Sequence, residues 1–224
     1  LLRRHGYAGR IYPVNPKAAV VQGLQAYPSV AALPEAPDLA IVAVEAEKAP
    51  EAVEQCAARG VRSVVVFSSG FAELGEKGRA MQERLRAAGQ RSGMRVLGPN
   101  CLGAVSIADK SIATFSIVLE HSLPAAGSLG IVSQSGNLGS FTMRLASQRG
   151  IGVGAAAVQA AQGRGEALQA RIALGRQAGG LAHLFAELAG VHPEALRHVG
   201  DAAGILRQQQ SGQRLLHREG VFGG

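Results

Sequence analysis

The chain has 224 residues, 47% hydrophobic and 17% charged, with a formal net charge of +7 and a pI of about 10.1. That balance suits a globular protein of one or two domains, and no apolar run approaches the roughly 18 residues of a membrane span. The basic excess comes with few aromatics, no Lys/Arg run longer than two and no zinc or helix-turn-helix signature, so it reads as a scattered solvated face and not as a nucleic-acid surface.

Leu1 and Leu2 lead at once into Arg3, Arg4 and His5, which is no signal peptide. The opening also lacks a methionine and starts in mid-pattern, so truncation is expected there. Two cysteines, Cys56 in a predicted helix and Cys101 in a predicted loop, form no disulfide framework, and a reducing cytoplasm is the expected location. No metal site is expected.

From Arg10 to Val158 short β-like runs alternate with helical segments, the pattern of an α/β fold with a parallel sheet. The predicted strands are Ile11 to Val14, Leu39 to Val44, Ser63 to Phe67, Met94 to Leu97, Leu129 to Val132 and Val153 to Val158. Pro50 fits a first helical turn and Gly60 a helix end, with Val53, Cys56 and Ala57 on one stripe. A longer helix is predicted over Leu74 to Gly89, with Leu74, Met81, Leu85 and Ala88 facing inward and Glu76, Lys77, Glu83 and Arg84 in water. Residues 120–127, EHSLPAAG, read as a domain boundary.

Residues 159–224 contain no Lys, Asn, Thr, Tyr or Met but hold seven arginines, eight glutamines and four of the six histidines. Amphipathic helices are predicted at 181–189 and 193–209, with no further strand to extend the sheet. Such a change of character predicts a divergent helical tail or a shifted reading frame with a poorly packed end.

Four loops carry candidate ligand groups, because open α/β sheets bind at the ends of their strands. Lys17 follows Val14-Asn15-Pro16 and can meet a phosphate as a point charge, or simply be solvated. Phe67, Ser68, Ser69 and Gly70 offer hydroxyls and backbone N–H groups, with Phe67 and Phe71 alternatively in the core. Gly98, Pro99, Asn100 and Cys101 form an unusual turn in which Asn100 both donates and accepts. Cys101 is not favoured as a nucleophile, since no local histidine would make it a thiolate.

The last loop, in GIVSQSGNLG, runs from a buried strand (Ile131, Val132) through Ser133, Gln134, Ser135 and Gly136 into a helix carrying Leu138, Phe141, Thr142, Leu145 and Ala146 at helical spacing. Its free N–H groups, dipole and side-chain donors form an anion receptor, while Ser135 as a plain N-cap is the simpler alternative.

The segments YPVNPK (from Tyr12), YPSVAALPEAPDLAIVAV (from Tyr27), VVVFSSGF, GPNCLG and GIVSQSGNLG, in this order and spacing, resemble the nucleoside-diphosphate-forming acyl-CoA synthetases. These include the succinyl-CoA synthetase α subunit and the ADP-forming acetyl-CoA synthetases. The resemblance implies a Rossmann-like CoA-binding domain over 1–119 whose first strand and glycine loop precede Leu1. A linker at 120–127, the start of a flavodoxin-like domain at 128–158 and an atypical tail follow. It further implies that Lys17 meets a CoA phosphate, that Phe67, Ser68, Ser69 and Gly70 line the CoA path, and that Gly98, Pro99, Asn100 and Cys101 lie near the thiol. Ser133, Gln134, Ser135 and Gly136 would receive a phosphoryl group.

CoA and acyl-CoA are thus the implied ligands, with NTP or NDP and its Mg supplied by an ATP-grasp domain or β subunit. Two departures stand out. Glu45 occupies a CoA-facing position where the family has Pro, which predicts repulsion of an anion. None of His183, His192, His198 or His217 has the Ser-His-Thr-Gly type setting of the family's phosphorylated histidine, so no catalytic residue is assigned. The chain therefore reads as the CoA-binding part of an acid–thiol ligase, incomplete by itself, with a noncatalytic CoA- or nucleotide-binding module as the alternative. A serine hydrolase using Ser135, Asp201 and His217 fails on the local motif, because Ser133 and Asn137 stand where a nucleophile elbow needs glycines.

Overall fold

A computed structural model describes residues 1–159. The expected helices at 181–189 and 193–209, Asp201 and the four histidines of the tail lie outside the described residues. The fold is mixed α/β and Rossmann-like. A small antiparallel hairpin, β1 (Val20–Val21) and β2 (Leu24–Gln25), comes first. Then β3 (Leu39–Val42), α1 (Ala49–Arg59), β4 (Ser63–Val66), α2 (Glu76–Ser92) and β5 (Arg95–Leu97) build a three-stranded parallel sheet in the order β3-β4-β5. A second sheet has the order β7-β6-β9-β8, from β6 (Cys101–Ser106), β7 (Ser111–Thr114), β8 (Ala126–Ser133) and β9 (Val153–Gln159), with α3 (Gly136–Gln148) between the last two.

The layers follow from side-chain alternation. On β4, Val64 and Val66 face α1 and α2 with Val53, Cys56, Phe71 and Leu85, whereas Val65 faces the second sheet. There it meets Leu97, Cys101, Ala104, Ala113, Ala155 and Ala157. The far face of the second sheet, through Val105, Ile112, Ile131 and Val153, packs on Met143 and Ala146 of α3 and on Leu1 and Leu2. Val64, Val65 and Val66 are each at most 1% exposed, and full burial of such a side chain contributes about 1.5–3 kcal/mol.

Several expectations need correction. No strand forms at Ile11 to Val14. Pro13 and Pro16 lack N–H donors there, and only Val14 bridges Tyr27, through Asn15 N–H to Tyr27 O at 2.8 Å and Tyr27 N–H to Pro13 O at 2.9 Å. Cys101 begins a strand and is not in a loop. β6 and β7 escaped notice because their Ala, Gly and Ser content gives a weak β signal. α2 starts at Glu76, and Leu74 lies in a short 3-10 turn, 74% exposed. Residues 120–127 contain the first two residues of β8, and the sheet β8 joins includes β6 and β7 from before that segment.

The inward face of α3 is Gly139, Met143 and Ala146, while Leu138 and Phe141 are 47% and 60% exposed. The reason is a close approach: a Cβ at Gly139 would stand 2.6 Å from Val158 Cγ2 and 3.2 Å from Ser133 Cβ, so this glycine fixes the rotation of the helix. Among the described residues no helix is long and apolar enough to cross a membrane.

The turn after β5 depends on Gly98, which has φ +108° and would place a Cβ 2.4 Å from Val66 O. Gly98→Ala is expected to lower the unfolding free energy by roughly 2 kcal/mol or more, read from the urea midpoint at unchanged slope. A midpoint equal to the parent's would show that the turn relaxes freely.

Candidate functional site

The sheet arrangement gathers three of the four candidate loops on one rim. Ser133 at the end of β8 pairs across to Val158, and Val158 pairs across to Gly103, so the end of β8 and the start of β6 share one edge of the second sheet. Gly136 stands against Leu102, its Cβ direction 3.8 Å from Leu102 Cδ2. The loops after β4 and β5 reach the same rim. Asn100 N–H donates to Ser68 O at 2.7 Å, and Asn100 has φ +53°, a left-handed conformation that Asn tolerates better than most residues. The Gly98–Pro99 peptide is cis. Phe67 packs edge to face on Phe115 with ring centroids 5.0 Å apart, and Ser116 Oγ lies 3.0 Å from Ser140 Oγ on α3.

Hydrogen bonds within the rim decide which groups can still meet a ligand. Ser68 Oγ donates to Val44 O, so this hydroxyl ties two loops together. Ser133, 4% exposed, donates to Ser135 O at 2.9 Å and accepts from Ser135 N–H at 3.2 Å. Ser135 Oγ accepts from Leu138 N–H at 3.3 Å, the N-cap of α3, and keeps its own proton to donate. The expected pair of free serine hydroxyls is therefore one. The N–H groups of Gly136 and Asn137 have no intrahelical acceptor at this helix start. The side chains of Ser69, Asn100, Gln134 and Asn137 make no hydrogen bond among the described residues.

Lys17 is exposed, its N–H held by Asn15 Oδ1 at 2.9 Å, and no hydrogen bond or ion pair ties it to the rim. Glu45 is compensated. Its carboxylate lies 2.6 Å from Lys48 Nζ, and the hydrogen bond and then the charge of that lysine hold it below the usual 4.5. The repulsion expected of Glu45 is thus offset locally.

Cys101 is buried, its Sγ donating to Val66 O at 3.2 Å, and burial pushes the thiol from 9.0 up to about 12 against its backbone hydrogen bonds. This cysteine holds the turn from beneath and offers no nucleophile. Of the two described histidines, His5 is bonded to Leu119 O at 2.7 Å and His121 is exposed in the connector before β8. Among the described residues no cluster of three or more His, Cys, Asp or Glu could hold a metal. The rim presents polar side chains and the first N–H groups of α3, and among the described residues its loops hold no acid–base pair. Sequence reasoning missed Phe115 and Glu73, whereas Leu102 lies in the GPNCLG segment already singled out. Only Glu73 left a readable trace, standing three residues after Gly70 as a capping-box glutamate stands after its N-cap.

Parallel strands ending in a polar rim beside a helix start define a class, the coenzyme- and phosphate-binding α/β domains. Residues 1–106 match the family model described as CoA binding domain. The chain is 40% identical over 142 residues to the α subunit of an ADP-forming acetate–CoA ligase I of Pyrococcus furiosus, covering 62% of this chain and 30% of that one. It is 38% identical over 135 residues to an ADP-forming acetate–CoA ligase II of Archaeoglobus fulgidus, covering 60% and 20%. In structure it resembles an acetyl-coenzyme A synthetase 1 of Ca. Korarchaeum cryptofilum in complex with phosphate and ADP. There the TM-score is 0.64 and the identity 33%, over 71% of this chain and 33% of the other. The chain thus spans only 20% and 30% of the length of these two curated relatives.

Burial makes both thiols testable, since Cys56 is likewise raised, to about 11. The unfolded chain ionises its thiols from about pH 9, the folded chain only at 11 to 12, so the stability tied to these thiols is complete below pH 9 and falls as pH rises from there. At pH 8, iodoacetamide is expected to label the native chain about a hundredfold more slowly than the urea-unfolded chain. Equal rates would contradict the buried placement.

Proposed function

We propose that this chain is the CoA-binding part of an acid–thiol ligase that interconverts acyl-CoA, NDP and phosphate with acid, CoA and NTP through an acyl phosphate and a phosphohistidine. The observation that carries this reading is the meeting of the Gly98–Asn100 turn with the Ser133–Gly136 helix start on one rim. CoA would lie along Phe67, Ser69 and Gly70 with its thiol end at Asn100, and a phosphoryl group would rest on the N–H groups of Gly136 and Asn137 and the Ser135 hydroxyl. Lys17 would add a mobile positive charge toward a CoA phosphate.

In the thioester-forming step the CoA sulfur attacks the acyl carbon, the bond from that carbon to the phosphate oxygen breaks, and phosphate leaves carrying the thiol proton in net balance. The residues of this chain bind and align the two reactants, and preorganised donors hold the departing phosphate. The phosphorylated histidine is assigned to the second, flavodoxin-like domain, and the nucleotide chemistry to an ATP-grasp domain or subunit. The naming of the Pyrococcus relative as an α subunit supports such a division. Residues 128–158 are assigned to the start of the flavodoxin-like layer that receives phosphate.

Titration calorimetry of the full chain is expected to show binding of CoA and none of NAD, and the reverse would overturn the reading. Lys17→Ala should weaken CoA about fivefold at low salt and less at high salt. Ser135→Ala should weaken inorganic phosphate while costing about 1 kcal/mol of stability through the lost cap. Unchanged binding in both variants would remove these site assignments.

A further inference from the structure

The crevice-facing loop after β4 is closed by a side chain that the reading above does not use. Gly70, at φ +101°, donates its N–H to Glu73 Oε1 at 2.7 Å. Burial would raise the Glu73 carboxyl, but hydrogen bonds from the N–H groups of Gly70, Glu73 and Phe71 hold it below the usual 4.5. The neighbouring donors are engaged as well: Ala72 N–H to Gln82 Oε1 at 3.3 Å, Leu74 N–H to Phe71 O at 2.8 Å and Gly75 N–H to Ala72 O at 3.3 Å. The backbone N–H groups of Gly70, Ala72, Leu74 and Gly75 are therefore each hydrogen-bonded inside the protein.

Both ends of this loop are anchored by other means. Ser68 is fixed to Val44 O and to Asn100 N–H. Phe71 is fully buried, and Gly78 of α2 lies so near that a Cβ there would stand 1.8 Å from Phe71 O. Between the anchors stands Gly70 in a left-handed conformation, and next to it Ser69, exposed and with no hydrogen bond among the described residues. Among the described residues Glu73 is the one side chain bonded to the Gly70 backbone, so it sets the direction in which Ser69 is presented.

We propose that Glu73 is a positioning residue of the CoA crevice, whose carboxylate occupies the Gly70 backbone donor, holds Ser69 toward the ligand and closes this stretch of loop to phosphate. The inference rests on the CoA reading above and deepens it. A carboxylate seated in the loop repels phosphate, so the ligand group at Ser69 is neutral and polar, an amide or hydroxyl, and the phosphates are met elsewhere.

The test compares the full chain with Glu73→Ala and Glu73→Gln by calorimetry with CoA and by amide hydrogen exchange at Gly70. Glu73→Ala is expected to bind CoA about tenfold more weakly with fast exchange at Gly70. Glu73→Gln, whose amide oxygen keeps one bond to Gly70, should recover affinity to within about threefold of the parent. Inorganic phosphate should shift the Gly70 and Phe71 amide signals in Glu73→Ala and leave them unmoved in the parent. Equal CoA affinity in all three chains overturns the positioning role alone, whereas failure of the parent to bind CoA overturns the CoA reading together with it. Should Glu73→Ala not fold, Glu73→Asp decides, its carboxylate being one methylene short of the Gly70 N–H: faster Gly70 exchange with weaker CoA binding supports the role, and exchange and affinity equal to the parent's overturn it.

Discussion

The rest of the structure depends on the face-to-face approach of two sheets across an interface with one lean side. The second sheet contributes Ala104, Ala113, Ala155 and Ala157, against which Val65 and Leu97 of the first are seated, with Leu39 and Phe67 partly buried beside them. Sheets stack about 10 Å apart, and the spacing is set by the side chains between them. Alanines on one side let branched residues fill the space from the other. This contact fixes where β4 and β5 end relative to the start of β6, and with it the position of every loop on the rim.

Once the loops converge, hydrogen-bond satisfaction selects the groups left for a ligand. A buried donor without a partner costs about 1–3 kcal/mol, so crowded loops use their polar groups on one another first. Ser68, Ser133 and the Cys101 thiol are taken in this way. What remains among the described residues is Ser69, the Asn100 and Gln134 amides and the first N–H groups of α3, a short set that spans from a neutral polar edge to a helix start. The acidic residues near the rim are balanced locally: Glu45 by Lys48, and Glu73 by backbone donors.

The sequence made the parallel core legible because its strands are short valine-rich runs between helices with clear ends. β3, β4, β5, β8 and β9 all lie where the apolar runs predict, within a few residues, and α1 runs from the predicted Pro50 turn to Gly60. Strand prediction failed at Ile11 to Val14, where prolines interrupt the ladder, and at β6 and β7, whose stability comes from pairing with β9 and from the interface between the sheets. Helical spacing alone misjudged α3. Its inward face was decided by a single glycine that lets the backbone approach Val158.

By itself, then, the sequence determined the α/β alternation, the order of the loops and the family whose motifs they carry, because period, turn residues and motif spacing are local properties of a chain. Only the tertiary structure decided which of those loops meet, that Cys101 is a buried support, that Ser133 is consumed within its own turn and that Glu73 accepts from the Gly70 backbone. Those outcomes depend on contacts between residues distant in sequence and on competition for donors, and neither is fixed until the two sheets have packed.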